Sequence, residues 1–269
     1  LISPWIDDAA LFAREVLGLE LTASQEAVLQ SLGTHTKTAV KSCHGAGKTF
    51  LAAVAVLWFE FTRDPAEVVT TAPTGHQVRD LLWKEINKGW RLLPRELSAC
   101  GECLMTRIKM LDADGQEKPG HVAYGFSTDD TDYFQGIHGE HLLVIVDEAA
   151  GVAEPIFEAI DTLGIGGEYR ELLIGNPTST KGTFREAFRD AALGYNPLTI
   201  AAEDTPNWTG EDVSDAVRQQ LLQPAKVEEW RRKHGESSAW FQARVHAKFP
   251  TLDARDVIVP LQWMEDAQV

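Results

Sequence analysis

The chain lacks any run of ~18 apolar residues, the length that carries a helix across a bilayer, so nothing in it reads as membrane-spanning. It also lacks the basic-then-apolar layout of a secretory leader, since it opens Leu1-Ile2-Ser3-Pro4-Trp5. With no methionine at position 1, the expectation is a piece trimmed from a longer product. Cysteine is scarce: Cys43, Cys100 and Cys103 make an odd set, which excludes a disulfide-stapled scaffold and fits a reducing compartment. Cys100-Gly101-Glu102-Cys103 has CxxC spacing, but no second Cys or Cys/His pair completes a zinc site, so these thiols read as structural. Basic residues are outnumbered, 25 against 40 acidic, leaving a net charge of −15. That imbalance argues against nucleic acid wrapped over the whole surface, while leaving room for a local basic stripe.

Against these absences stands a hydrophobic content of 44% over 269 residues. It supports one large α/β domain with a small appendage. Ile6 to Leu17 predicts a helix, and Thr22 is placed to cap a second one running to Leu32. Thr36 to Lys41 predicts the first core strand, and Lys48 to Trp58, apolar on nearly every face, a buried helix. Further strands are predicted at Glu67–Pro73, at Leu104–Leu111 and His121–Phe126 around the Asp112-Ala113-Asp114-Gly115 turn, and at Leu142–Asp147, Glu171–Gly175 and Pro197–Ala202. Helices are predicted from Gly75 to Trp90 behind a Thr74 cap, and from Glu154 to Thr162 with Pro155 in its first turn. Ser214 to His246 reads as charged and helical, with a break at Pro224. Short, continuously apolar strands alternating with helices imply a mostly parallel sheet covered on both faces.

Two stretches carry chemistry. Lys41-Ser42-Cys43-His44-Gly45-Ala46-Gly47-Lys48-Thr49 departs from G-x-x-x-x-G-K-[ST] only at Ser42, where the pattern has glycine. The backbone N–H groups of His44 to Thr49, at the start of a buried helix, are placed to surround a β-phosphate. The expected nucleotide-binding set is Ser42, Cys43, His44, Gly45, Ala46, Gly47, Lys48 and Thr49. Gly45 and Gly47 supply positive φ and close approach. Lys48 would neutralise β/γ-phosphate charge, and the Thr49 hydroxyl would ligate Mg²⁺. The second stretch, Leu142-Leu143-Val144-Ile145-Val146-Asp147-Glu148, is an apolar strand ending in two carboxylates. Charges at a buried strand end need partners. Asp147 is expected to hold the metal directly or through water, and Glu148 to orient the attacking water, which implies hydrolysis rather than binding alone.

Other residues are less specific. The amide of Gln25 can both donate to and accept from an adenine edge, although an exposed helical Gln is equally ordinary. Gly175-Asn176-Pro177 ends the strand expected beside that of Asp147, aiming Asn176 at the γ-phosphate; a plain Asn-Pro turn is the other reading. Lys84, Lys88, Arg91 and Arg95 recur at spacings of four, three and four, on one helix side until Pro94 interrupts. The stripe suits phosphate contact, or equally a solvated face paired with Glu85 and Glu96. Arg231-Arg232-Lys233 is a second basic cluster that reads mainly as surface.

Taken together, Leu21-Thr22-Ala23-Ser24-Gln25, the loop Lys41–Thr49, Thr70-Thr71-Ala72-Pro73-Thr74 with Gln77, Phe134-Gln135-Gly136-Ile137-His138-Gly139, Val144-Ile145-Val146-Asp147-Glu148-Ala149-Ala150 and Gly175-Asn176-Pro177 resemble the large subunit of viral terminases. The resemblance covers residues 5 to 250. It implies an α/β P-loop NTPase fold: a RecA-like, additional-strand (ASCE) core with a mostly parallel sheet, helices on both faces and a helical C-terminal subregion. It implies an ATPase core over 1–205 with an N-terminal helical adenine-binding segment at 1–35, a helical lid or linker at 206–250, and a linker or tail at 251–269 toward a nuclease domain absent from this chain.

ATP and Mg²⁺ are the implied cofactors. Gln25 would contact adenine, Lys48, Glu148 and Asn176 would carry catalysis and coupling, and Thr49 and Asp147 would hold the metal. The implied activity is ATP hydrolysis that powers translocation of double-stranded DNA into a viral procapsid, without DNA cleavage by this piece. Partners would be double-stranded DNA, other copies of the chain in a ring, the portal protein and the small terminase subunit, in the host cell cytoplasm and with no membrane. A helicase-type DNA-dependent ATPase shares much of the pattern but needs a second RecA-like domain, for which too little chain follows residue 205. A nucleotide-gated assembly module is a third reading, against which Glu148 argues. Ring motors often take an arginine from a neighbouring subunit. Relatives carry one near Gln135, and Arg91, Arg95, Arg107 and Arg185 are the alternatives here.

Overall fold

A computed structural model of the chain describes residues 4–127, 134 and 136–250. Gln135 and the tail expected at 251–269 therefore lie outside the described residues. The strands are β1 (Lys37–Ser42), β2 (Glu67–Ala72), β3 (Gly101–Cys103), β4 (Arg107–Leu111), β5 (Glu117–Ser127), β6 (His141–Asp147), β7 (Glu168–Gly175) and β8 (Tyr195–Ile200). They form one sheet in the order β3-β4-β5-β2-β6-β7-β1-β8. From β5 to β8 across that order the pairs are parallel, and only the β3-β4-β5 edge is antiparallel. The helices are α1 (Ala9–Glu15), α2 (Ala23–Thr34), α3 (Lys48–Thr62), α4 (Trp83–Trp90), α5 (Arg95–Ser98), α6 (Glu154–Asp161), α7 (Thr183–Glu186), α8 (Pro206–Thr209), α9 (Asp215–Gln220), α10 (Pro224–His234) and α11 (Ala239–Arg244). Among the described residues no helix is long and apolar enough to cross a membrane.

Alternation along the strands divides the interior into two layers. Val40, Val68, Leu143, Ile145, Leu172 and Ile174 enter one apolar cluster with Phe12, Leu29, Leu51 and Trp58 of α1–α3. Their chain neighbours Ala39, Val69, Leu142, Val144, Val146 and Leu173 enter the other, under Ile156, Phe157 and Ile160 of α6. The α/β fold with helices on both faces is thus the one the strand pattern implies. Leu222, Val227, Phe241 and Val245, from the subregion expected at 206–250, share the first cluster with Phe12 and Leu51. The C-terminal helices therefore pack into the main core.

Several boundaries differ from expectation for local reasons. The first helix is shorter than Ile6–Leu17 because the Asp8 carboxylate accepts the Leu11 N–H at 2.8 Å and sets its start. The helix expected from Gly75 contains a π turn, Gln77–Leu82, ahead of α4. Beyond it, the Trp83 indole donates to Thr70 Oγ1 at 2.8 Å. Proline at position 197 sits inside β8, which is tolerated because β8 is the sheet edge. Strand β3, across the CxxC segment, is not among the expected strands. All three cysteines are free, and burial pushes Cys43 up to about 12 and Cys103 up to about 11, as unreactive structural thiols require.

One buried charge is unsupported. Glu60 of α3 has 0% exposure, and neither carboxylate oxygen has a hydrogen-bond partner among the described residues. His121 Nε2 is 3.6 Å away and already faces the Glu60 carbonyl at 2.9 Å, while Asp64 engages the other ring nitrogen. Burial, reinforced by Glu67, raises the Glu60 pKa well above its ordinary value. A raised folded pKa contributes stability below the unfolded value near 4.5 and loses it as pH rises. Glu60→Met is expected to stabilise the protein at pH 8 by on the order of 1–2 kcal/mol, with little change at pH 4. Denaturant unfolding at the two pH values checks this; a gain no larger at pH 8 contradicts it.

Candidate active site

Parallel pairing brings three strand ends together. Val40 and Asp147 both register with Ile174, so β1, β7 and β6 finish side by side and release Ser42, Asn176 and Glu148 at one edge. In open α/β sheets ligands bind outside such carboxyl ends. The chain leaves β1 through a loop in which Gly45 and Gly47 hold φ of +68° and +86°, then enters α3 at Lys48. Gly47 is needed twice over: its φ is left-handed, and a Cβ there would meet Gln25 Nε2 at 2.7 Å.

Lys48 is 7% exposed. Its Nζ donates to Asn176 Oδ1 at 3.2 Å and lies 3.9 Å from Glu148 Oε1. Asn176 in turn donates through Nδ2 to the Ser42 carbonyl at 2.7 Å, tying the ends of β7 and β1 together. The Thr49 hydroxyl donates to Asp147 Oδ2 at 3.4 Å, and the Glu148 N–H donates to Asp147 Oδ1 at 2.9 Å. Asp147 is 2% exposed. Burial, then the adjacent Glu148 charge, raises its pKa to about 6, against the opposing pull of Lys48. Glu148 holds φ +50° and ψ +41°, a left-handed geometry that is strained for a residue bearing a Cβ. Gly175 permits that turn, because a Cβ on it would lie 3.0 Å from Ala149 N and 3.3 Å from Glu148 C.

The structure therefore brings Lys48, Thr49, Asp147, Glu148 and Asn176 into one constellation. It narrows the loop set. Ser42 and Cys43 have 0% exposure beneath the loop, and the Cys43 N–H donates to Ile200 O at 2.7 Å. The His44 N–H is also committed, to Arg244 O at 2.8 Å. Ser42, Cys43 and the His44 amide thus brace the cradle from behind, which leaves the amides of Gly45 to Thr49 for a ligand. Gln25 reaches the loop as expected, but at 5% exposure its amide is engaged. Oε1 accepts the Thr22 N–H at 3.1 Å in a capping box, and Nε2 donates to Ala46 O at 3.3 Å. In this state Gln25 supports the loop, and contact with a base edge would require one of these bonds to be given up.

Of the arginine candidates, Arg107 pairs with Glu117, and Arg185 donates to Pro250 O at 3.0 Å beside the Phe249 ring. Arg91 lines a groove with Arg79, Asp80, Lys84, Asn87, Lys88 and Met105, in which Arg79 pairs with Asp80. Lys88 pairs with Glu85 at 2.5 Å, so the basic stripe is part paired and part free; Arg95 does not line that groove. Arg231 pairs with Glu228 and Glu236, as a surface cluster would. Sequence reasoning misses Arg244. Its carbonyl grips the loop, and it feels the Glu148 charge. No motif spacing announces a contact formed only when α11 folds back onto the loop after β1.

A parallel sheet whose adjoining ends carry a Gly-Lys-Thr loop and an Asp-Glu pair defines the class of P-loop nucleoside triphosphatase folds. Comparison narrows this class. No family model matches the chain. The chain is similar to the probable terminase, large subunit, of Enterobacteria phage P7, with 26% identity over 177 residues, 63% of this chain and 36% of that protein. The chain thus spans only a little over a third of that relative's length. The large terminase ATPase domain of Thermus phage P74-26 superposes with a TM-score of 0.64 at 18% identity, over 88% of this chain and 97% of that one. The large terminase of a thermophilic bacteriophage in complex with ADP gives 0.60 at 14% identity, over 86% and 54%. The fold is that of a large-terminase ATPase domain, and the resemblance read from the motifs holds in both sequence and structure comparisons.

Proposed function

We propose that this chain is a Mg²⁺-dependent ATPase motor domain that powers translocation of double-stranded DNA into a viral procapsid. The observation that carries the reading is the meeting of Lys48, Asp147, Glu148 and Asn176 at adjoining strand ends. The Gly45–Thr49 amides would take up the β-phosphate, and Lys48 would leave Asn176 and Glu148 to neutralise β/γ charge. Thr49 Oγ1 and Asp147 Oδ2, two hard oxygen donors 3.4 Å apart, suit a magnesium ion that takes its other ligands from phosphate and water. The ion would supply charge neutralisation to the phosphate groups. Glu148, 34% exposed at its side chain, is free to orient a water. Asn176 keeps its bond to the Ser42 carbonyl of β1, so the return of the Lys48 ammonium to Asn176 on loss of the γ-phosphate would be felt by the sheet as well as by the loop.

Similarity to terminase large subunits supports DNA, further copies of the chain in a ring, the portal protein and the small terminase subunit as partners, acting in the host cytoplasm. In the groove lined by Arg79, Asp80, Lys84, Lys88 and Arg91, where Arg79 pairs with Asp80 and Lys88 with Glu85, Lys84 and Arg91 support phosphate contact on an otherwise acidic molecule. The test is Mg²⁺-ATP hydrolysis with and without double-stranded DNA, for wild type and Lys48→Ala. Lys48→Ala is expected to weaken ATP binding by roughly tenfold or more, since it removes a charge-assisted contact to phosphate, and to abolish turnover. Unchanged affinity and turnover would reject the site.

A further inference from the structure

Arg244 stands beside the site with no part in the proposed hydrolysis. Arg244 ends α11, and its carbonyl accepts the His44 N–H at 2.8 Å. This backbone bond roots the side chain at the base of the phosphate loop. The guanidinium stands 4.8 Å from the centroid of the Trp240 ring. Trp240 meets Trp230 edge-on at 5.2 Å, and Trp230 meets the His44 ring at 5.9 Å. A relay of rings from α10 and α11 therefore fixes Arg244 against the loop from a second side. The loop is stapled again where the Leu222 N–H donates to Gly45 O at 3.1 Å.

Arg244 is partly buried beside the site. Among the described residues no carboxylate forms a salt bridge with it; the anion it feels is Glu148, and its burial disfavours the charged form. His44 feels the Arg244 charge as well, together with Lys48 and Glu148. A part-buried guanidinium held without a counter-ion costs desolvation that is not repaid until an anion arrives. The chemistry beside it needs such a cation. When water attacks, its oxygen bonds to the γ-phosphorus and its proton passes to Glu148, while the bond from the γ-phosphorus to the β,γ-bridging oxygen breaks and its electron pair leaves with the diphosphate. Negative charge on the equatorial oxygens then requires stabilisation.

We propose that Arg244 is a cis-acting cation of this site, closing from the C-terminal helices of the same chain onto the terminal phosphate of a bound nucleoside triphosphate. The proposal rests on the ATPase reading and extends it. It gives the helices after residue 205 a catalytic duty, and it makes the triphosphate the ligand that Arg244 tells apart from the diphosphate.

The test is calorimetric titration of wild type, Arg244→Ala, Arg244→Lys and Lys48→Ala with ATPγS and with ADP, alongside Mg²⁺-ATP turnover. For Arg244→Ala the expected result is ATPγS affinity lowered about tenfold with ADP affinity held within about twofold, and turnover lowered by roughly 10²-fold or more. Arg244→Lys is expected to recover part of the preference for ATPγS, because it retains the charge. Equal losses for both nucleotides with a lowered melting temperature, in both Arg244 variants, would make the residue a packing partner of Trp240 and overturn the proposal. Unaltered binding and turnover would overturn it too. A wild type that binds neither nucleotide, or a Lys48→Ala protein that binds both normally, would sink the ATPase reading itself and this inference with it.

Discussion

Glu148→Gln is expected to lower ATP turnover by roughly 10²–10⁴-fold, the usual contribution of a positioned general base, while nucleotide affinity stays close to wild type. Asp147 is buried and already accepts from Thr49 and from the Glu148 amide, so it is occupied as a ligand-holding group. Glu148 is the carboxylate turned out of the strand line by its left-handed backbone, with a third of its side chain in reach of solvent. Its cationic contact among the described residues is Lys48, at 3.9 Å, a pairing that phosphate would displace. Glutamine keeps the shape and removes the ability to take a proton. Single-turnover phosphate release against fluorescent-nucleotide binding separates the two effects. Parallel losses in rate and affinity would instead assign Glu148 to ligand binding.

Asp147→Asn should abolish hydrolysis and yet make the metal-free, nucleotide-free protein more stable. Burial and the Glu148 charge raise the Asp147 pKa from 3.8 to about 6. With the folded value above the unfolded one, this carboxyl stabilises the fold fully below pH 3.8, and that contribution disappears as pH climbs through about 6. Above that range the cost is on the order of 3 kcal/mol. Asparagine has no charge to desolvate. Its oxygen can accept the Glu148 N–H and its amide can donate to Thr49 Oγ1, so both native contacts have successors. The expected signature is a higher melting temperature for the variant at pH 8 that vanishes near pH 4. A variant no more stable at pH 8 would show that Lys48 and the backbone already offset the burial of the charge.

The motifs are legible wherever local chemistry dictates local structure. The Gly-Ala-Gly-Lys-Thr loop needs positive φ at two positions, and only glycine holds it cheaply; Asp147 and Glu148 stand out because apolar strands do not end in twin carboxylates without reason. The placement of β7 beside β6 is also readable, through Gly175-Asn176-Pro177. Other features depend on contacts distant in sequence. The loop set reads too widely because nothing in Cys43 or His44 reveals that their amides belong to Ile200 and Arg244. Gln25 reads as free because its capping box with Thr22 and its bond to Ala46 form only when α2 and the loop meet. Strand β3 escapes notice since three residues in a CxxC segment carry no periodicity of their own. Arg244 is invisible for the same reason that makes it interesting: its surroundings are assembled from segments far apart in sequence.

The bonds from Leu222 to Gly45 and from His44 to Arg244 have a practical corollary for anyone dissecting the molecule. A fragment cut at residue 205 would keep every recognisable motif and still lose the outer wall of its own cradle, along with Leu222, Val227, Phe241 and Val245 from the main apolar cluster. Such a fragment should be poorly soluble and deaf to nucleotide, and its silence would say nothing about the chemistry of the whole.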